Sequence, residues 1–308
     1  MANPKIVLFY VFAPLADPEA IRLWQRAVCE SLGLRGRVLI SPHGINATLG
    51  GEQPALTAYV RRLRAYAPFR EADVKWSQGS GLTAEPGPSG FRESVDFPKL
   101  VVKVREELVA FGVPDELVVD EGGVVGGGER LTPQALHALV EARGEEVVFF
   151  DGRNAYEAKV GHFEGAIVPD VRTTHDFIGQ LDRGDYDDLK GRPVVTYCTG
   201  GVRCEVLTAL MKSRGFDDVY QLDGGIARYG EVYGDRGLWR GSMYVFDGRM
   251  TVDFSKTPTV VGQCVHCGTS TSRMRNCEDP SCRMQIVLCE ACDGAGLDAC
   301  PEHGAAPG

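Results

Sequence analysis

No uninterrupted apolar run in these 308 residues approaches the ~18 needed to cross a bilayer, and the N-terminus lacks a Lys/Arg region followed by an apolar core. Membrane insertion and secretion are therefore not expected, and the cytoplasm is the simplest compartment. Positive charge is in deficit: 33 Lys and Arg against 42 Asp and Glu leave a formal charge of −9 and a pI near 5.3. A general nucleic-acid binder needs a net basic footprint, so only local basic faces remain for that role, and DNA is not an expected partner. A flavin or dinucleotide fingerprint is missing, as is a clear two-His-one-carboxylate set for iron. The glycine-rich run Glu121–Gly128 has neither the strand-to-helix setting nor the spaced Lys-Ser/Thr of a phosphate-binding loop; it reads as a connection between domains.

What is present is organised around Thr196-Tyr197-Cys198-Thr199-Gly200-Gly201-Val202-Arg203-Cys204-Glu205. The apolar Pro193-Val194-Val195 precedes it, and Val206, Leu207, Leu210 and Met211 follow at helical spacing until Gly215. Strand, tight loop and helix are expected. Such a loop points backbone N–H groups inward at the positive end of a helix dipole, which favours a thiolate over a thiol. Cys198 is the expected nucleophile, Arg203 closes the ring, and Thr199, Gly200, Gly201 and Val202 form an anion or substrate loop. Two readings of Cys204 stand: it resolves an oxidised or persulfidated Cys198, or it only packs against the sheet.

Cys198-x-x-Gly201-x-Arg203 resembles the active loop of rhodanese domains. Asp151-Gly152-Arg153-Asn154-Ala155-Tyr156-Glu157 with Gly161–Ile167 resembles that family's opening motif, and Tyr220–Ile226 its closing motif. Cysteine phosphatases place five residues between Cys and Arg where this chain has four, which argues against that activity. A helix from Thr132-Pro133 to about Ala142 and a strand over 147–150 precede this pattern, and strands alternating with helices imply a parallel sheet covered on both faces. Asp151 and Arg153 then fall on the rim that carries Cys198, either to hold an anion or to brace loops.

The N-terminal region reads as β-α-β-β-α-β, the ferredoxin-like order: strands at 6–12, 37–40, 45–49 and 72–76, with helices after Asp17-Pro18 and over 54–67. In Phe97–Arg105, alternation sends Leu100, Val102 and Val104 to one face and Lys99, Val101, Lys103 and Arg105 to the other. With both helices on one side, the open side of the sheet is expected to be basic. It is either a solvated face or, with Arg61 and Arg64, a contact surface for phosphate backbone. The expected division is a ferredoxin-like domain over 1–110, a linker over 111–130, a rhodanese domain over 131–240 and a Cys-rich region over 241–308.

Seven of the ten cysteines crowd between Cys264 and Cys300. Two Cys-x-x-Cys pairs can each form half of a tetrahedral thiolate site, so Cys264, Cys267, Cys289 and Cys292 are the expected ligands of a structural zinc. Cys277 and Cys282 either enter that site or build a second with Cys300 and His303. A tail so poor in large apolar residues needs such a staple.

Taken together, the three parts resemble the rhodanese-containing tRNA uridine hydroxylases over nearly the whole chain, through Gly36–Ile40, Gly44-Ile45-Asn46, Phe97–Leu100, the Cys198 loop, Gln221–Ile226, Val245-Phe246-Asp247 and the cysteine tail. Ala47 departs from the Gly usual in that family. The resemblance implies oxygen-dependent conversion of the wobble uridine of tRNA to 5-hydroxyuridine, with the tRNA anticodon loop as partner and molecular oxygen as co-substrate. It names no electron donor and no oligomeric state. A rhodanese-type sulfurtransferase carrying a persulfide on Cys198, or a binding module without catalysis, are the alternatives.

Overall fold

The structure is a computed structural model describing residues 3–282 and 284–303. Asp17 caps the first helix, its side chain accepting from the Ala20 N–H at 2.9 Å, with Pro18 at the first helical position. In chain order the N-terminal region runs β1 (Pro4–Phe12), α1 (Pro18–Ser31), β2 (Arg35–Ser41), β3 (Gly44–Glu52), α2 (Gln53–Ala65), β4 (Lys75–Gln78) and β5 (Leu100–Val104). The strand order is β4-β1-β3-β2-β5, the ferredoxin-like arrangement with β5 added parallel to β2. The fourth strand begins later than its apolar residues suggested. A 3₁₀ turn at Ala67–Phe69 follows α2, and pairing with β1 starts only at Lys75.

Side chains paired across neighbouring strands share a face. Val7, Phe9, Val38, Leu49 and Val102 face α1 and α2, meeting Val28, Leu56 and Leu63 in one core. The opposite face carries two rows: Lys75, Leu8, Thr48, Arg37 and Val101, then Tyr10, Asn46, Leu39 and Lys103. This corrects the expectation of an open basic face. The β1 side is apolar and covered, Ile6 and Phe12 being buried, and only its β2–β5 edge keeps exposed cations: Arg37, Lys99, Lys103 and Arg105.

The covering is the second unit. The stretch expected to be a linker is ordered, with β6 (Val119–Asp120) and β7 (Gly123–Val124) as a hairpin, Phe111 buried against Phe177, and β8 (Glu129–Leu131) entering the next sheet. Gly128 allows this entry. A Cβ there would lie 2.8 Å from the Val219 carbonyl oxygen. Then follow α3 (Pro133–Arg143), β9 (Val148–Asp151), α4 (Ala155–Ala158), β10 (Gly161–Phe163), α5 (Asp176–Asp182), β11 (Val194–Tyr197), α6 (Val202–Ser213), β12 (Val219–Leu222) and α7 (Gly225–Tyr233). The sheet β8-β12-β11-β9 is wholly parallel. Phe150, Val194 and Val219 pack with α5 and α6, whereas Phe149, Val195 and Leu222 pack with α3 and α7. Both faces are therefore buried, which is why these strands are apolar runs.

Finally β13 (Trp239–Gly241) pairs with β10, and β14 (Met243–Tyr244) with β15 (Thr251–Val252) forms a strap. Its tip reaches the N-terminal sheet, the Gly248 N–H donating to the Asp96 carbonyl at 2.8 Å and Arg249 to Ser77 Oγ at 2.9 Å. The tail adds β16 (Met274–Asn276), β17 (Gln285–Val287) and α8 (Glu290–Gly294). Among the described residues no helix is long and apolar enough to cross a membrane.

Candidate active site

The loop Cys198–Gly201 joins the central strand β11 to α6 at the carboxyl rim of the sheet, where open α/β sheets hold ligands. It is held from behind. The Ile226 and Ala227 N–H groups donate to the carbonyls of Cys198 and Thr199 at 2.9 and 3.0 Å, turning those carbonyls toward α7. The N–H groups of the loop are left for the sulfur, and Gly201, at φ +103°, donates to Cys198 Sγ at 3.2 Å. Burial alone raises the Cys198 pKa. The Cys204 thiol donating to it, the Arg203 charge and the N–H groups of Cys204 and Arg203 outweigh burial and bring it from 9.0 to about 5. Complete burial, and then the same contact, hold Cys204 as a thiol, its pKa well above the ordinary value.

Arg203 does not reach out for a ligand. Its guanidinium meets the Glu157 carboxylate through both amines, Nη2 at 2.8 Å from Oε2, and Nη2 also lies 3.2 Å from Thr199 Oγ1. In the sequence Glu157 is one residue of the opening motif with no role of its own. A buried arginine needs a carboxylate partner, and the opening motif offers two, Asp151 and Glu157; only the fold decides between them. Asp151 is taken by Arg153, which is fully buried, bonds Asp151 Oδ2 at 2.6 Å and the Gly161 carbonyl at 2.7 Å, and lies 5.2 Å from the Trp239 ring. Neither residue lines the cavity above Cys198. They brace the rim.

That cavity, ≈ 540 Å³, lies between the loop and the N-terminal sheet. Leu8 and Tyr10 of β1 lie directly on the loop. A Cβ on Gly200 would lie 2.6 Å from Leu8 Cδ2, and one on Gly201 2.9 Å from Tyr10 Oη. The Tyr10 hydroxyl donates to Glu205 Oε1 at 2.8 Å, and buried Glu205 also binds Arg130 at 2.8 Å and Gln221 at 3.0 Å. The strap forms a further wall, with the Phe246 ring centroid 5.7 Å from the Arg203 guanidinium, and Leu108, Val109, Ala227 and Gly230 complete the lining. A larger, more open depression of ≈ 1250 Å³ near Arg61 and Arg92 has no cysteine in its lining.

Residues 4–108 match the family described as UPF0176 acylphosphatase like domain, 132–231 the Rhodanese-like domain and 240–304 the Rhodanase C-terminal family. The tRNA uridine(34) hydroxylase of Rhodococcus erythropolis strain PR4 is 61% identical over 292 residues, covering 95% of this chain and 98% of that one. This chain belongs to the tRNA uridine(34) hydroxylase family. Proteins of the same name from Corynebacterium jeikeium (58% identical, covering 94% of this chain and 89% of that one) and Arthrobacter sp. strain FB24 (57%, covering 99% and 100%) are similarly close.

In this member of the tRNA uridine(34) hydroxylase family the remaining candidates fall apart into groups. Lys103 shares the cavity face of the N-terminal sheet, with Lys99 and Arg105 exposed beside it. Arg61 and Arg64 stand on α2, across the sheet from Cys198, and Arg64 donates to the Ala72 carbonyl at 2.9 Å. In the tail, Cys264, Cys267, Cys289 and Cys292 bring their ligand atoms within 4.8 Å of one another, as do Cys277, Cys282, Cys300 and His303. Either set can hold a metal ion. The two sets interleave along the chain, so each ion would tie the first half of the tail to the second.

Alkylation of Cys198 by iodoacetamide, followed on its own peptide by mass spectrometry, tests the electrostatics. The thiolate is the reactive form, so the rate rises with pH through about 5 and is flat by pH 7. A midpoint near the ~8.5 of a free cysteine would contradict this account.

Proposed function

We propose that this protein hydroxylates uridine 34 of tRNA at C5, giving 5-hydroxyuridine, with dioxygen as the oxidant. The observation that carries the reading is a cysteine thiolate facing a cavity whose size falls within the roughly 300–1,000 Å³ of ligand sites, in a chain that matches tRNA uridine(34) hydroxylases over almost its full length. The Cys198 sulfur adds to C6 of uracil, forming an S–C6 bond and moving the ring electrons to C5 and O4. C5 then bonds to one oxygen atom of dioxygen. Two electrons and two protons from an external reductant convert the other to water. Loss of the C5 proton expels Cys198 as thiolate and restores the C5=C6 bond.

The anticodon loop is single-stranded, so its bases can be splayed into a pocket without opening a duplex. Lys99, Lys103 and Arg105, at the exposed edge beside the cavity, supply phosphate contacts on a protein otherwise too acidic for RNA. The site of action is the cytoplasm.

For the tail we propose two structural zinc ions. Zn–S bonds of about 2.3 Å place the sulfurs of a tetrahedral site about 3.8 Å apart. The Cys267–Cys289 and Cys282–Cys300 sulfur pairs stand at 3.6 and 3.8 Å. Tail residues Met274 and Val287 pack with Val160 and Tyr244, next to Tyr156 of α4, so zinc would hold the tail against the helix that carries Glu157. Elemental analysis is expected to give one zinc per cluster, and removal by a chelator to lower the melting temperature. A metal-free protein of unchanged stability would dismiss the zinc. Nucleoside mass spectrometry of total tRNA from cells with and without the gene tests the main reading, through loss of 5-hydroxyuridine and its derivatives.

A further inference from the structure

The cavity over Cys198 contains polar groups that the protein leaves unused. Arg203 is held by Glu157, Arg249 by Asp247, Lys75 by Asp73, and Asp253 accepts from Ser242. Of the lining carboxylates only Glu231, exposed at the outer end, lacks such a partner among the described residues. Arg37 and Asn46 also line the cavity, and among the described residues neither side chain has a hydrogen-bond or ion-pair partner. Both lie close to the loop. Asn46 pairs across the strands with Tyr10, which touches Gly201, and Thr48 beside Arg37 pairs with Leu8, which touches Gly200. Neighbouring strands are about 4.8 Å apart, so Asn46 stands one strand, and Arg37 two, from the residues that meet the nucleophile loop.

Resting on the tRNA hydroxylase reading, we propose that Asn46, with Arg37 beside it, reads the hydrogen-bonding edge of the uracil held over Cys198. Uracil presents an N3–H donor between two carbonyl acceptors. A carboxamide offers an adjacent acceptor and donor, so Asn46 Oδ1 takes the N3–H while Nδ2 donates to O2. Cytosine presents two acceptors there, N3 and O2, which one acceptor and one donor cannot both meet. Arg37 donates to O4, and because a guanidinium only donates it rejects the amino group of cytosine at that position. The pair therefore selects a base with oxygen at C4, and it fixes the ring so that C6 faces the sulfur. Arg37 and Asn46 together match a base with carbonyls on both sides of an N3–H, and the buried Asn154 Oδ1 of the same lining, unpaired among the described residues, adds an acceptor.

The test uses full-length tRNA transcripts that differ only in U or C at position 34, binding to protein carrying Cys198→Ser so that nothing turns over. One bidentate pair gives about 5- to 150-fold discrimination, and a preference for U34 in that range is expected. Adding Asn46→Ala should reduce the preference at least about 5-fold while C34 binding changes little. Arg37→Gln, whose amide oxygen can accept from the cytosine amino group, should also reduce the preference, by strengthening C34 binding. Unchanged alkylation of Cys198 at pH 7 in otherwise wild-type Asn46→Ala and Arg37→Gln proteins serves as the folding control. If wild type modifies U34 but both variants keep the full preference, the uracil reader is overturned and the hydroxylase stands. If wild type leaves U34 unmodified while the preference follows Asn46 as described, the reader stands and the hydroxylase falls.

Discussion

Cells whose only copy carries Cys198→Ser are expected to lose 5-hydroxyuridine from tRNA, the purified enzyme falling by at least about 10³-fold, as when an essential nucleophile is removed. The surroundings that bring the Cys198 thiol from 9.0 to about 5 would leave a serine hydroxyl far above neutrality after a shift of the same size. Serine fills the same space and can still accept the Gly201 N–H, so the fold is little disturbed and the loss reports on chemistry. Nucleoside mass spectrometry on tRNA from the deletion strain, complemented by wild type or Cys198→Ser, makes the comparison. Full 5-hydroxyuridine with the serine form would end the thiolate-addition mechanism. A profile that never depended on the gene would return the chain to the sulfurtransferase reading, which thiosulfate-to-cyanide turnover then examines.

The loop was legible in the sequence because its parts are contiguous. Cys198, two glycines and Arg203 fall between an apolar run and a helical pattern, and local geometry does the rest. Glu157 could not be assigned, since its bond to Arg203 spans 46 residues of sequence. The wall opposite the sulfur was invisible for the same reason, the Tyr10–Glu205 hydrogen bond spanning 195 residues. Alternation in β5 correctly placed Val102 inward and Lys103 outward. It carried no information about what would cover the far side of the sheet, which is why a wholly basic face was expected where half of the face is a domain interface. The cysteine spacing, by contrast, grouped Cys264, Cys267, Cys289 and Cys292 and left Cys277 and Cys282 open between that site and a second with Cys300 and His303, whereas the fold gathers the ligand atoms of each four within 4.8 Å of one another.

The interface changes what the parallel sheet can do. Loop, sulfur and helix dipole are complete within the second unit, yet that unit alone would leave the sulfur at an open rim. The N-terminal sheet closes it with Leu8 and Tyr10 on the two glycines, and Glu205 secures the closure from below. Gly200 and Gly201 thus serve twice: they let backbone N–H groups converge on the sulfur, and they leave room for a second domain. Excluding water on one side while keeping a cavity on the other is what addition of a thiolate to a base requires.

Gly225→Ala is expected to have the second largest effect, although residue 225 carries no reacting group. Gly225 has φ +64°, and a Cβ there would lie 2.4 Å from the Cys198 carbonyl oxygen and 2.8 Å from the Gly201 nitrogen, both backbone atoms that cannot swing aside. Left-handed backbone costs alanine about 1–2 kcal/mol; the collision adds to it by pushing α7 away from the loop. The bonds from Ile226 and Ala227 to the loop carbonyls are then lost. Freed carbonyls can turn toward the sulfur, so the midpoint of Cys198 alkylation should climb from about 5 toward the ~8.5 of an unassisted thiol, and a displacement near 1 Å lowers turnover about 10²-fold. Gly165→Ala separates the two costs. Gly165 has φ +69° with nothing within 4 Å of a built Cβ, so it bears the backbone strain without the collision. It should melt earlier than wild type yet keep the alkylation midpoint near 5. If Gly225→Ala also kept that midpoint, the α7 hydrogen bonds would not be what holds the thiolate.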